Sequence, residues 1–444
     1  MKKFYFVLAM VAVAVTSCQK DVVYNDIPSQ NTTIEESVSP YAISEEEAIK
    51  RLEAELTVLY GEDTRACQRK ISKIEPVRFD NVSMTRSSDI ENLLYIVEFE
   101  DGEGSAIIGA DERVEDVFAV LEEGVITVED FNNAANGVNY DNLPTYLAGL
   151  IAEEAIEQVQ TSSVIVLPPV SDLAYSYFEY ENVLSESSEC LLKSKWGQGY
   201  PYNMMCYNDE GQMCYAGCVT ICAAQVLLYN PVQTIYDIII DGESFNRSLL
   251  NLKGSELESS MHMSQMINNE VARYVAKLAD VLDIRLGVSS SSGYLSDIAP
   301  LMTSMGYANV DYISVNNLTF DGAVRDQLYV RRLPAPFRGS DVIANVGHAW
   351  VIDGFKHQKD REYLVTKEGG VIISREYCGI RTIQKVHCNY GWNGVCDGYY
   401  SYGIFDVSQT LPNSNIVTDV GDLPGSAGYS FSSSNAMISY ELPN

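Results

Sequence analysis

The spacing of apolar residues changes along the second half of the chain, and that change restricts the fold more than any other feature. Small or apolar residues recur at Val219, Cys222, Ala223, Val226 and Leu227, the spacing of one face of an amphipathic helix. Asn230-Pro231 then stops the pattern, because proline cannot continue a helix. A second helical stretch is expected over 270–283. From Val310 to the C-terminus the sequence turns β-rich. Early helices and later strands predict an α+β domain.

Cys218 stands at the first turn of the first helix, after Tyr215-Ala216-Gly217. Unpaired N–H groups and the positive end of the helix dipole favour an anion there. A thiolate is the nucleophilic form of cysteine, and a helix start is one of the few metal-free places that favours it. A buried cysteine or half a disulfide is the competing reading of this segment alone. A thiolate nucleophile needs a partner, most often histidine, and the chain has four histidines. His262 lies in a helix or at its edge with nothing reactive nearby, and His357 reads as part of a solvated turn. His348 sits in Asn345-Val346-Gly347-His348-Ala349-Trp350-Val351-Ile352-Asp353-Gly354, a β-like run closed by Asp-Gly. Gly347 allows close approach of an extended substrate backbone.

Two further segments complete a set of parts for acyl transfer to a thiol. In His387-Cys388-Asn389-Tyr390-Gly391-Trp392 the Asn389 amide can accept the second imidazole N–H, and Trp392 can shield that bond from water. His387 is the second candidate base, on the same strand face as Asn389. Upstream, Gln198 in Trp196-Gly197-Gln198-Gly199 can donate an N–H to a developing oxyanion beside the Cys218 N–H. The order Gln, Cys, distant His, Asn-x-x-Trp fits a papain-type arrangement.

The chain resembles a streptopain-family cysteine peptidase of the papain-like clan. The resemblance rests on Gln198-Gly199-x-Pro201-Tyr202-Asn203, Gly217-Cys218-Val219, Gly347-His348-Ala349-x-Val351-Ile352-Asp353-Gly354 and Asn389-x-Gly391-Trp392-x-Gly394. It implies a two-lobed catalytic domain with Cys218 as nucleophile, His348 as general base and acid, and Gln198 as oxyanion donor. Asn389 and Trp392 would orient and cover His348. Gly347 would contact substrate backbone, and Ser292, in the serine run 289–292, would line the substrate pocket. Ala106-Ile107-Ile108-Gly109-Ala110-Asp111-Glu112-Arg113 resembles the propeptide domain of the family's zymogens. No metal or organic cofactor is implied.

The formal net charge of −31 excludes nucleic-acid binding and electrostatic docking to anionic lipid. Lys2-Lys3, the apolar stretch 4–15 and Val15-Thr16-Ser17-Cys18 read as an export signal too short to span a membrane. Cys18 at that point resembles the acylated cysteine of bacterial lipoproteins. Export would allow the eight cysteines other than Cys18 and Cys218 to oxidise, with connectivity unreadable from sequence. Cys206, Cys214, Cys218 and Cys222 lack the C-x₂-C pairs of structural zinc sites.

In the N-terminal half, Ser44 and Glu47 predict a capping box. Ile49, Leu52, Leu56 and Leu59 give the apolar face of that helix, and Gly61 its stop. Strands are expected over 93–99, 105–109 and 117–121. The expected organisation is a lipoprotein signal peptide over 1–17, a tether over 18–40, an autoinhibitory prodomain over 41–165, a linker with the activation cleavage over 166–195, and a cysteine-peptidase domain over 196–444. The expected product is an exported, lipid-anchored cysteine endopeptidase zymogen at the bacterial cell envelope. Its partners would be protein or peptide substrates and its own prodomain, and it would meet the membrane through the anchor alone. The rival reading is a catalytically decayed surface lipoprotein that binds a ligand or inhibits a protease.

Overall fold

The computed structural model describes residues 39–62, 64–78, 92–138, 142–162, 174–229, 237–254, 261–315, 317–341, 346–405 and 435–443. Cys18, Asn230-Pro231 and the Ser/Gly-rich stretch 425–434 lie outside them. Among the described residues no helix is long and apolar enough to cross a membrane.

The N-terminal unit begins with α1 (Glu45–Tyr60). Ser44 caps it by accepting the Glu47 backbone N–H, and Gly61, at φ 84°, ends it. Only half of the expected capping box forms, because the Glu47 carboxylate pairs with Arg51 one turn on. Four strands follow as an antiparallel meander: β1 (Ile71–Arg78), β2 (Asn92–Phe99), β3 (Ser105–Gly109) and β4 (Val117–Leu121). Alternation of side chains gives this small sheet two apolar faces. Val97, Ala106, Ile108 and Val120 meet Leu52, Leu56 and Leu59 of α1. Leu94, Ile96, Ile107 and Ala119 meet α2 (Val128–Ala135) and α3 (Leu143–Thr161). Neither of these helices is foreseen from sequence. α2 starts at a capping box closed by Asp130 instead of Glu or Gln.

Within the stretch expected as linker, residues 174–188 form a long strand, β5 (Ala174–Ser188). The helical part follows with α4 (Cys218–Tyr229), the hairpin β6 (Asp237–Ile240) and β7 (Glu243–Asn246), α5 (Arg247–Asn251), α6 (Met261–Val281) and α7 (Ile298–Met305). Then come β8 (Ala308–Val315), α8 (Asn317–Arg325), β9 (Ala335–Asp341), β10 (Val346–Glu368), β11 (Val371–Asn389), β12 (Gly398–Ser401) and β13 (Asn435–Glu441).

The strands order as β1-β2-β3-β4-β12-β11-β10-β9-β13-β8, with β5 on β10. The junction is β4 on β12, where Ala119, Val120 and Leu121 face Tyr400, Tyr399 and Gly398 in antiparallel register. One sheet therefore runs through both halves of the chain. A core of Ile221, Val226, Val275, Leu278, Val351 and Ile438 joins α4 and α6 to one face. A second core, with Phe337, Trp350 and Tyr400, joins α3 to the other.

Three sequence expectations are corrected here. α4 is not amphipathic: every residue from Val219 to Leu228 is buried, as for a helix enclosed on all sides. Asp353-Gly354 is no turn, since β10 continues for another fourteen residues to Glu368. Gly354 is there for contact, because a Cβ would come within 2.6 Å of His387 Cβ and 3.2 Å of Cys190 Sγ. His357 consequently lies in this strand and is buried, 5% exposed, next to Phe355 and Gln384, not on a solvated turn. Burial lowers its pKa.

Candidate active site

Cys218 opens α4, and the residue before it sets its position. Gly217 adopts φ 88°, which favours glycine, and a Cβ there would sit 3.3 Å from Ser291 Cβ. The Thr220 hydroxyl donates to Ala216 O at 2.6 Å and fixes the approach to the helix. Burial pushes the Cys218 thiol up from its ordinary pKa, although backbone N–H groups of Ala349, Val219 and Cys218 itself pull the other way. The helix start thus favours the thiolate, but burial outweighs it in this state.

Several of the other expected residues line the same cleft as this cysteine. The Ala216 N–H donates to Gln198 O at 3.0 Å, tying the Gln198 segment to the chain entering α4. β10 packs on α4, and its first residues carry Gly347, exposed, and His348, half-buried. One cleft of about 1530 Å³ is lined by Gln198, Cys218, Ser292, Gly347, His348 and Trp392. The serine run is held by Ser291, whose hydroxyl donates to Tyr215 O at 2.6 Å and accepts from the Gly287 N–H at 3.0 Å. That contact anchors the loop at Ser291, and Ser289, Ser290, Ser291 and Ser292 all line the cleft.

Trp392 stands edge-on to the His348 ring, with centroids 6.3 Å apart. Asn389 is different. Its Nδ2 donates to Ser194 O at 2.7 Å, and its Oδ1 accepts from Gln225 Nε2 at 2.9 Å and from the Gly391 N–H at 3.2 Å. The bond expected from the imidazole is not made in this state. Strand geometry supplies the reason. Asn389 is directly opposite Val351, so both project to the α4 side, whereas His348 is an odd number of residues from Val351 and projects to the other face.

His387, the second candidate base, does not line the cleft. Its Nδ1 lies 2.7 Å from the buried Asp353 carboxylate and its Nε2 3.4 Å from Glu122. Burial opposes the charge on this ring, but Asp353, Cys190 and Glu122 outweigh it and raise the pKa well above the usual imidazole value. It is an ion-paired core histidine.

Three participants escaped sequence reasoning. Gln225, 1% exposed, also accepts from Ser194 Oγ at 2.8 Å and the Trp196 N–H at 3.3 Å, so one amide joins α4, Asn389 and the segment leading to Gln198. Its signal was an amide side chain inside an otherwise apolar helix. The other two belong to the N-terminal unit. Tyr146 of α3 is buried with its ring edge-on to His348 at 5.4 Å, and Asn142, at the α3 N-terminus, lines the cleft. No local pattern marks either one, because their role exists only once α3 lies on the sheet. Among the described residues, no group of three or more His, Cys, Asp or Glu side chains is placed to hold a metal.

Residues 196–400 match the model of the Peptidase C10 family. No curated protein matches the chain. Among solved structures, a fragment of prointerpain A from Prevotella intermedia, carrying a cysteine-to-alanine mutation, aligns at 20% identity. It covers 78% of this chain and 94% of that one, with a TM-score of 0.49. Active wild-type interpain A cysteine protease from Prevotella intermedia aligns at 22% identity, covering 57% of this chain and 94% of that one, with a TM-score of 0.37.

Proposed function

Residues 196–400 being a cysteine-peptidase domain of the Peptidase C10 family, we propose that the protein is an exported endopeptidase made as a latent precursor. The observation that carries this reading is the convergence of Cys218, His348 and Gln198 on one cleft. In the processed enzyme the Cys218 sulfur attacks the scissile carbonyl as the thiolate paired with His348. The oxyanion that forms is stabilised by Gln198 and the Cys218 N–H. His348 protonates the leaving amine, then takes a proton from water as that water hydrolyses the thioester. Trp392 shields the imidazole during both transfers.

Latency follows from the same geometry. With Tyr146 against His348 and Asn142 in the cleft, the N-terminal unit occupies the base and part of the substrate channel. The raised Cys218 thiol is a poor nucleophile in that state. Residues 41–165 therefore act as an inhibitory prodomain, and cleavage within 166–195 frees the cleft. Residues 1–17 direct export, and Cys18 carries a lipid anchor that holds the precursor at the cell envelope.

Casein hydrolysis by protein lacking residues 1–18, before and after limited proteolysis, tests the reading. Activity should appear on processing and disappear with Cys218→Ala or iodoacetamide. A folded, processed sample that cleaves nothing overturns it. A precursor as active as a fragment beginning near residue 190 overturns the latency.

A further inference from the structure

The segment between Gln198 and Cys218 holds a second cysteine pair, Cys206 and Cys214. Tyr207 and Met213 bridge antiparallel, and the next pair outward is Cys206 with Cys214, whose N–H donates to Cys206 O at 2.9 Å. Directly opposed residues of an antiparallel ladder have Cα atoms about 4.5–5.5 Å apart. A disulfide spans about 4.4–6.8 Å, so the register alone brings the two within bonding range. Both cysteines are 1% exposed, while Tyr207 and Met213 of the enclosed loop are 53% and 49% exposed. The Cys214 thiol donates to Gln212 O at 3.3 Å.

The pair sits where a cross-link would matter. The Asn203 side chain donates to Cys214 O at 2.9 Å, and the Cys206 N–H donates to Asn203 O at 2.9 Å, which braces the base of the loop. The loop itself brings Tyr207, Asn208, Asp209 and Glu210 to the wall of the cleft that contains Cys218. One residue beyond Cys214, Tyr215 joins the serine loop on the facing wall through Ser291 and Gly287.

We propose that Cys206 and Cys214 form a reversible disulfide that fixes this wall of the cleft in its substrate-binding shape. The oxidant is a small-molecule or protein disulfide. One cysteine thiolate attacks it, forming a mixed disulfide and releasing one thiol. The second thiolate attacks the protein sulfur of that bond and releases the other thiol. The two protein thiols give up two electrons and two protons, and the oxidant disulfide is reduced to two thiols. Burial pushes the Cys206 thiol up to about 11, and both thiols meet the oxidant only after local opening of the exposed loop.

The test uses the chain from residue 19 with Cys218→Ala, treated with glutathione disulfide, quenched with iodoacetamide and digested without reduction. The expected product is one linked peptide joining Cys206 to Cys214. Iodoacetamide on both cysteines, or glutathione retained on either, overturns the pairing. The effect on substrate rests on the peptidase reading and is measured separately. Processed enzyme with both Cys206→Ser and Cys214→Ser should show KM raised about three- to tenfold over the disulfide form, with kcat within about twofold. An unchanged KM alongside a linked peptide confines the disulfide to a stabilising role and overturns its part in shaping the cleft.

Discussion

Cys218, His348 and Gln198 are far apart in sequence yet line one cleft, and in the proposed mechanism each performs one step that the others cannot. Replacement of Cys218 by Ala should lower kcat/KM of the processed enzyme by at least about 10⁴-fold with the unfolding midpoint unchanged, as expected for the member of a catalytic unit that forms the covalent bond. The thiol also reports the state of the molecule. Since burial raises its pKa in the unprocessed form, iodoacetamide should label Cys218 there only at higher pH than in the processed enzyme. Coincident pH–rate curves for the two forms would refute this. Asn389 and Gln225 form one buried amide network, so Asn389→Ala and Gln225→Ala should each cost about 1–3 kcal/mol in denaturant unfolding. The double variant should cost clearly less than the sum, because each single change already breaks the shared bond.

The elements that carry chemistry are α4, β10 and α3, and they meet at one end of the sheet. α4, buried from Val219 to Leu228, carries the proposed nucleophile at its start. β10 places His348 at its N-terminal end and then runs on far past the cleft. A Cβ at Gly354 of β10 would crowd His387 and Cys190, so Gly354→Ala should destabilise the protein by about 1–3 kcal/mol. Urea midpoints would measure that cost. In the proposed latent precursor α3 is the inhibitory element, through Tyr146 against His348. Tyr146→Ala should give the unprocessed protein measurable peptidase activity while lowering its stability by about 3–5 kcal/mol, the usual cost of emptying a large buried site. Unprocessed Tyr146→Ala that is folded and wholly inactive would assign latency to Asn142 and the rest of the unit instead.

At the scale of the molecule, the two halves are held by one continuous sheet and by buried charges across its junction. Lys385 of β11, 1% exposed, pairs with Glu55 of α1 at 3.1 Å and with Glu115 at 2.5 Å, while His387 pairs with Glu122. Burial raises Glu55 to about 7 despite Lys385. Burial also opposes ionisation of Glu122, but His387 and Lys195 outweigh it and bring that carboxyl down to about 2. The two groups act in opposite senses. A raised Glu55 contributes stability that is full below its unfolded value, near 4.5, and is lost as pH rises through about 7. A depressed Glu122 contributes stability that is full above about 4.5 and is lost as pH falls towards about 2. The junction should therefore hold most firmly in mildly acidic solution and slacken towards neutral pH. Glu55→Gln should flatten the loss between about pH 5 and pH 8, read from urea midpoints of the unprocessed protein. An unaltered pH slope would remove Glu55 from this account.

The residues proposed for the site could be picked out of the sequence because their signals are local. A glycine before a cysteine at a helix start, a glycine before a histidine in a β run, and a capping serine ahead of α1 all depend on neighbouring residues. Helix and strand spacing likewise marked α1, β2, β3, β4 and the helix at Cys218. What tertiary structure alone decided depends on partners brought from elsewhere in the chain. It turned Asn389 away from His348 by strand parity, enclosed α4 on every side, carried β10 through Asp353-Gly354, and made His387 an ion-paired core residue. It also laid Tyr146 against His348 and joined β4 to β12. Backbone periodicity and capping are written in short stretches of sequence. Burial, cross-strand register and the pairing of buried charges arise only when distant segments close around one another.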